Sequence, residues 1–251
     1  MQNTVIKQVM GSRPIPAPRL FTFLMFLMFS VLCSPLVFSA PAGDGAGAAR
    51  RPLDLPSGGA THSEEEEEEA PDLIHFYGHD HEGDNFVWVL DISGSMGDET
   101  GGELIDQLKM EFSQAVTSLS RTSSFSALAF DNNLYPFDMV SRMAVPSRKN
   151  AAISWCNGLI AEGATCLTVA TITGLEISRT RQTDSTRLII VGDGVPYCYG
   201  EVDLEQSISD IQNANWEQIP IDAVYVGDQE LGLQYFQMLT ESCNGRLTIC
   251  Q

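Results

Sequence analysis

Residues 86–96 read FVWVLDISGSM: an apolar run that ends at Asp91 and passes into a loop with hydroxyls at Ser93 and Ser95. Phe86 to Leu90 is rich in β-branched and aromatic residues and shows no polar alternation, the pattern of a short strand buried on both faces. Downstream, ELIDQLKMEFSQAVTSLS places Ile105, Leu108, Phe112, Ala115, Val116 and Leu119 at helical spacing. SFSALAF (124–130) reads as the next strand, and NNLYPFDMVSRM as a segment holding an edge strand, because Pro136 cannot donate to a central ladder. Helices are predicted over 148–160, 166–180, Leu204 to Ala214 and Gln229 to Cys243. Strands are predicted at Arg187 to Gly192 and in PIDAVYVG, with a last short one from Arg246 to Cys250. Alternation of this kind predicts an α/β fold over residues 85–251: a doubly wound, mostly parallel sheet with helices on both faces.

The first third of the chain differs in composition. Residues 1–42 carry three basic and no acidic side chains, residues 43–84 two basic against twelve acidic, and residues 85–251 nine basic against twenty-one acidic. The net charge of −19 argues against nucleic-acid binding through phosphates and favours solubility, basic partners or cations. Lys7, Arg13 and Arg19 precede LFTFLMFLMFSVLCSPLVFSA, an uncharged apolar run, so residues 1–42 read as an export segment. Pro35 and the small residues Ser39, Ala40 and Ala42 favour a cleaved signal peptide. An uncleaved anchor competes, because the run approaches the ~20 residues that span a bilayer. Either way the rest is delivered to the periplasm, the cell envelope or the exterior, and membrane contact is expected only through this segment if it stays uncleaved.

Residues 43–84 read as a disordered acidic linker, with Gly, Ala, Pro and Ser early, an unbroken run from Glu64 to Glu69 and few apolar residues. His62, His75, His79 and His81, all the histidines of the chain, fall within it. A transition-metal tract is conceivable there, but incidental histidines in a polar linker are the preferred reading.

In open parallel sheets, ligands bind outside the carboxyl ends of the strands. Asp91 ends one strand and Asp193 follows another by one residue, in RLIIVGDGVP. In DISGS a spacing of two sends Asp91, Ser93 and Ser95 one way if the loop stays extended, with Gly94 allowing a tight turn. Thr165, in AEGATC, opens a helix on the same edge. Three hydroxyls and two carboxylates are hard oxygen donors suited to Mg²⁺ or Mn²⁺. Singly, each is also an ordinary N-cap or turn residue. Together, DISGSM, EGAT, VGDG and IDAVYVGDQELGLQYFQMLTESCNG resemble the von Willebrand factor A domain family with its metal-ion-dependent adhesion site, over about residues 85–251. The threonine loop reads Gly163-Ala164 where Gly-Gly is commoner in that family, and Gly192 replaces its usual hydroxyl residue. The resemblance implies metal ligation by Asp91, Ser93, Ser95, Thr165 and Asp193, the aspartates often acting through water. It also implies a protein partner that offers an Asp or Glu to the ion.

Five cysteines lie in the expected domain. Export favours disulfides. Cys166 and Cys198 belong to the loops of Thr165 and Asp193, so a bridge between them is expected, with Cys243 to Cys250 as a second. A zinc site is disfavoured, since no CxxC pair exists. The function expected is cation-dependent protein binding, as in cell adhesion, without catalysis. Two alternatives remain: a Mg²⁺-dependent hydrolase with Asp91 as nucleophile, and a structural envelope protein whose ion braces its loops. The hydrolase lacks a second carboxylate two residues on, where Ser93 stands, and a motif around Lys149. No domain histidine was expected to serve Ser95 as a base.

Overall fold

Why the run at 86–90 is wholly apolar is clear from its neighbours in the computed structural model, which describes residues 71–97, 102–181, 183, 185–198, 200 and 202–250. The strands are β1 (Asp72–Phe76), β2 (His79–Gly83), β3 (Asn85–Asp91), β4 (Ser124–Phe130), β5 (Leu134–Pro136), β6 (Arg142–Met143), β7 (Thr186–Gly192), β8 (Ile221–Tyr225) and β9 (Leu247–Ile249). The helices are α1 (Glu103–Ser118), α2 (Pro146–Asn157), α3 (Leu167–Ser178), α4 (Leu204–Ala214) and α5 (Glu230–Ser242). The main sheet has the order β5-β4-β3-β7-β8-β9, with β6 also on β4. β3, β4, β7, β8 and β9 run parallel, and β5 and β6 antiparallel at the β4 edge. Pro136 ends β5, where no inward donor is needed.

Successive residues of β3 point to opposite faces, and each face is covered. Phe86, Trp88 and Leu90 pack with α1 and α2, while Val87 and Val89 pack with α3, α4 and α5. Trp88, fully buried, meets Phe112 of α1 edge-on at 5.4 Å. α2 starts two residues earlier than its expected start because Pro146 occupies the first helical turn, where its missing N–H costs nothing. The order in which strands are added reverses at β3, which pairs with β4 on one side and β7 on the other. Such a switch point opens a crevice at the carboxyl ends of the two strands.

The expected linker of 43–84 is corrected at its end, because residues 72–83 form a β-hairpin that belongs to the folded unit. β1 and β2 pair antiparallel, and the turn residues Tyr77 and Gly78 both have positive φ (48° and 77°), which matches the right-handed twist of a two-residue hairpin. Ile74, Phe76 and Tyr77 are buried, and Phe76 meets Trp88 edge-on at 6.2 Å. The hairpin thus completes the apolar cover on the α1 side. His81 is buried too, so the expectation of no domain histidine is also corrected. Its Nδ1 lies 2.8 Å from Asp222 Oδ2 at the start of β8, the edge opposite to the carboxyl ends. The expected export segment and Glu64–Glu69 lie outside the described residues. Among the described residues, no helix is long and apolar enough to cross a membrane.

Candidate metal centre

Asp91 ends β3, and the chain turns there because Ile92 N–H donates to Phe130 O of the neighbouring strand at 2.9 Å. Asp91 Oδ1 accepts the Ser93 N–H at 2.8 Å. Ser93 Oγ lies 3.2 Å from Ser95 Oγ, which donates to Asp193 Oδ1 at 2.9 Å. Four of the five expected residues are therefore one hydrogen-bonded cluster across the ends of β3 and β7. The loop does not stay extended, as the spacing argument supposed: Ser93 is extended (φ −61°, ψ 164°), but Gly94–Met96 is a 3₁₀ turn. Gly94 is not forced by crowding either, since a Cβ there would first meet Gly163 O at an ordinary 3.5 Å.

Thr165 reaches this edge through its backbone. Gly94 N–H donates to Gly163 O at 3.1 Å and Glu162 N–H to Ile92 O at 2.8 Å, so the threonine loop runs beside the DISGS loop. Gly163 is needed for that approach: its φ is +80°, and a Cβ would stand 2.3 Å from Asn132 Oδ1. Thr165 is half-buried, its N–H donates to Tyr197 O at 3.1 Å, and it directly precedes Cys166, the N-cap of α3. Its hydroxyl makes no hydrogen bond among the described residues and is not joined to the Ser93–Ser95–Asp193 cluster.

The electrostatics are costly as they stand. Burial and the Asp193 charge push the Asp91 carboxyl up to about 7 from an ordinary 3.8, with a smaller contribution from Asp131, against the lowering effect of hydrogen bonds from Ser93. Asp91 is fully buried, and its Oδ2 has no hydrogen-bond partner among the described residues. Gly192 leaves room for that oxygen, since a Cβ there would lie 3.0 Å from Asp91 Oδ2 and 3.1 Å from Phe236. The missing hydroxyl noted in the sequence thus leaves the carboxylate and Phe236 uncrowded at this point. A cation would relieve both the orphaned oxygen and the repulsion, so the residues present fit one. No group of three or more His, Cys, Asp or Glu arranged to hold a metal is found among the described residues, so hydroxyl oxygens would have to complete the set.

Asp131, just past β4, was missed by the sequence reading, although the same rule of an aspartate after a strand selects it. It is buried; its Oδ1 accepts the Asn133 N–H at 2.5 Å, its Oδ2 the Tyr135 hydroxyl at 3.1 Å, and its backbone O the Cys166 N–H at 3.0 Å. It braces the floor of the threonine loop and adds negative potential to Asp91.

A disulfide joins Cys166 to Cys198, as expected, and so ties the Thr165 loop to the Asp193 loop. The second expected bridge is not formed. Cys243 is buried in the core on the α3–α5 side, whereas Cys250 packs against the core on the α1–α2 side, so the sheet separates them. Burial pushes the Cys156 thiol up to about 12, only partly offset by Lys109, which leaves it unreactive at neutral pH. Peptide mapping under non-reducing conditions should return the Cys166–Cys198 pair and free thiols at Cys156, Cys243 and Cys250. Replacing both bridged cysteines by serine should cost about 2–4 kcal/mol in urea unfolding; a loss below about 1 kcal/mol would mean that the loops are held without the bridge.

No protein-family profile matches the chain, and no curated protein matches it either. Solved structures do. A von Willebrand factor type A protein from Catenulispora acidiphila superposes with TM-score 0.57 at 18% identity, covering 67% of this chain and 39% of that one. The vWF domain of the type V pili tip protein Mfa5 from Porphyromonas gingivalis matches at TM-score 0.55 and 10% identity, over 66% of this chain and 89% of that domain. The PilB minor pilin from Streptococcus sanguinis matches at 0.52 and 13%, over 67% and 57%. The match thus spans less than half the length of the first of these proteins. Strand order, strand direction, helices on both faces and these likenesses together give the chain a von Willebrand factor type A fold.

Proposed function

We propose that the domain is a divalent-cation-dependent protein-binding module. One observation carries this reading: Asp91 Oδ2 is buried and unpartnered beside the Ser93–Ser95–Asp193 cluster. Mg²⁺ or Mn²⁺ would be held by Ser93, Ser95 and Thr165 hydroxyls with Asp91 and Asp193, and, with few anionic ligands, would stay electrophilic enough to take a carboxylate from a partner. The chain's own part is orientation. The Ser93 N–H bond to Asp91 sets the turn, the Ser95 hydroxyl is aimed by its bond to Asp193, and the disulfide fixes the spacing of the two outer loops. A partner presenting an exposed Asp or Glu fits such a site, and the acidic surface of this chain makes the ion the local source of attraction.

Support for an extracytoplasmic adhesion role comes from the export segment and from two matched structures that are by name pilus proteins. Catalysis is disfavoured by geometry. Asp91 is fully buried, Lys149 Nζ is engaged with Thr117 O and Leu119 O, and His81 sits at the opposite edge of the sheet from Ser95.

The test is calorimetric titration of the full chain with Mg²⁺ and Mn²⁺, followed by partner capture from envelope extracts with and without EDTA. Ser93→Ala combined with Ser95→Ala should weaken cation binding at least about tenfold, or about 1.4 kcal/mol, and abolish capture. Identical capture by the double variant, or in EDTA, overturns the docking reading and leaves an ion that only braces loops.

A further inference from the structure

The loop from α4 to β8, at the end of the sheet opposite to Asp91, is built to display one aromatic ring. Asn215 is buried and spends its amide on the loop itself: Nδ2 donates to Ile219 O at 2.8 Å, and Oδ1 accepts the Ile219 N–H at 2.9 Å. Gln218 N–H donates to Asn215 O at 3.0 Å, and Gln218 takes the left-handed conformation at φ 57°. Holding a non-glycine residue there costs free energy, so the clamp over-determines the turn. The result is that Trp216 is held out in solvent, 69% exposed. The Arg179 guanidinium lies 5.1 Å from the ring centroid and pairs with Glu217 at 3.6 Å, which fixes the plane of the indole.

Trp216 borders a cleft of about 340 Å³ whose other walls include Gln212, Gln218, Ser242 and Asn244. Arg179 and Glu217 border the neighbouring cleft instead. Among the described residues, no charged side chain lines the Trp216 cleft. The Gln212, Gln218 and Asn244 side chains are exposed, and their amides make no hydrogen bond among the described residues. Each offers both donors and an acceptor, the combination that pairs with a hydroxyl acting in either sense.

We propose that this cleft binds a neutral saccharide, with the indole stacking on the apolar face of a sugar ring and Gln212, Gln218 and Asn244 hydrogen-bonding its hydroxyls. An anionic ligand would call for cationic walls, and an apolar peptide side chain for mostly apolar ones; the described walls are mainly amides around one indole. The amphipathic character of a sugar ring, C–H bonds on its faces and hydroxyls at its rim, matches an aromatic platform ringed by amides. The cleft is shallow, so single-site affinity is expected in the millimolar to micromolar range, about −4 to −8 kcal/mol.

The full chain, labelled and in EDTA to keep the cation site out of play, is applied to an array of neutral and acidic glycans. The strongest neutral oligosaccharide is then titrated by calorimetry into wild type and each variant. Binding to at least one neutral glycan is expected, independent of Mg²⁺, weakened tenfold or more by Trp216→Ala and several-fold by Gln218→Ala, and retained by Trp216→Phe. Because Trp216 is mostly exposed, the variants should keep the wild-type circular dichroism and unfolding midpoint. Absence of binding to any neutral glycan, binding to acidic glycans alone, or binding unchanged in Trp216→Ala overturns the proposal.

Discussion

Replacing Asp222 by alanine is expected to lower the unfolding free energy by about 3 kcal/mol at neutral pH, because it leaves the buried groups that the carboxylate hydrogen-bonds unsatisfied. Asp222 and His81 side chains are only 4% and 2% exposed. Asp222 Oδ2 faces His81 Nδ1, and its Oδ1 accepts the Arg246 N–H at 2.8 Å with Arg187 at 3.7 Å. His81 Nε2 already lacks a partner among the described residues, so loss of the carboxylate strands both ring nitrogens inside the protein. The pair also joins the hairpin to β8. Burial alone would raise the Asp222 carboxyl, but the His81 hydrogen bond, the Arg246 N–H and the His81 and Arg187 charges outweigh it and hold it below its ordinary value of 3.8. A carboxyl with a lowered folded pKa stabilises fully above its unfolded value and ceases to do so as pH falls through the folded one. Wild type should therefore lose stability below about pH 4 through this group, and Asp222→Asn should lose that part of the acid sensitivity. Urea unfolding at pH 7 and pH 3 checks both; a neutral-pH loss under about 1 kcal/mol would show the clasp to be dispensable.

The hairpin was illegible in the sequence for a reason that this pair exposes. DLIHFYGHDHEG has the alternation of a half-buried strand, but its inward set on the second strand is completed by a histidine, which composition counts as polar. Only a buried partner carboxylate makes that histidine a core residue, and Asp222 lies 141 positions away. Where burial is apolar and local, sequence was sufficient: FVWVL, SFSALAF and RLIIVG became β3, β4 and β7 because each is covered on both faces. The site divides along the same line. That Asp91, Ser93, Ser95 and Asp193 would be neighbours was legible, because they follow strands whose ends the fold brings together. Whether Cys243 could meet Cys250 was not, because adjacency in the chain does not say which face of the sheet each thiol enters. Asp131 obeys the rule that picked Asp91 and was passed over because no family motif marks it.

Asp91→Asn is expected to make the cation-free domain more stable at pH 8 while abolishing its response to Mg²⁺. Burial and Asp193 raise the Asp91 carboxyl to about 7. An acid with a raised folded pKa binds its proton more tightly when folded, so stability falls as pH rises from the unfolded value of 3.8 to about 7 and is level above it. A shift of that size corresponds to about 4 kcal/mol of strain in the ionised, cation-free state. Asparagine keeps an acceptor for the Ser93 N–H and removes the charge, so the variant's unfolding midpoint in EDTA should be flat between pH 4 and 8 and lie above wild type at the alkaline end. Wild type in EDTA should lose stability over the same interval and recover it when Mg²⁺ is added, since an ion bound only to the folded state stabilises by mass action. Ser93→Ala separates the charge effect from a loss of ligands: it should keep the pH slope in EDTA yet blunt the Mg²⁺ recovery. If wild type shows no pH slope in EDTA, the carboxylate finds relief without an ion; if Asp91→Asn still recovers with Mg²⁺, the cation sits elsewhere. The combination of a steep cation-free slope and its removal by Mg²⁺ would identify Asp91 as a charge buried in advance of its ligand.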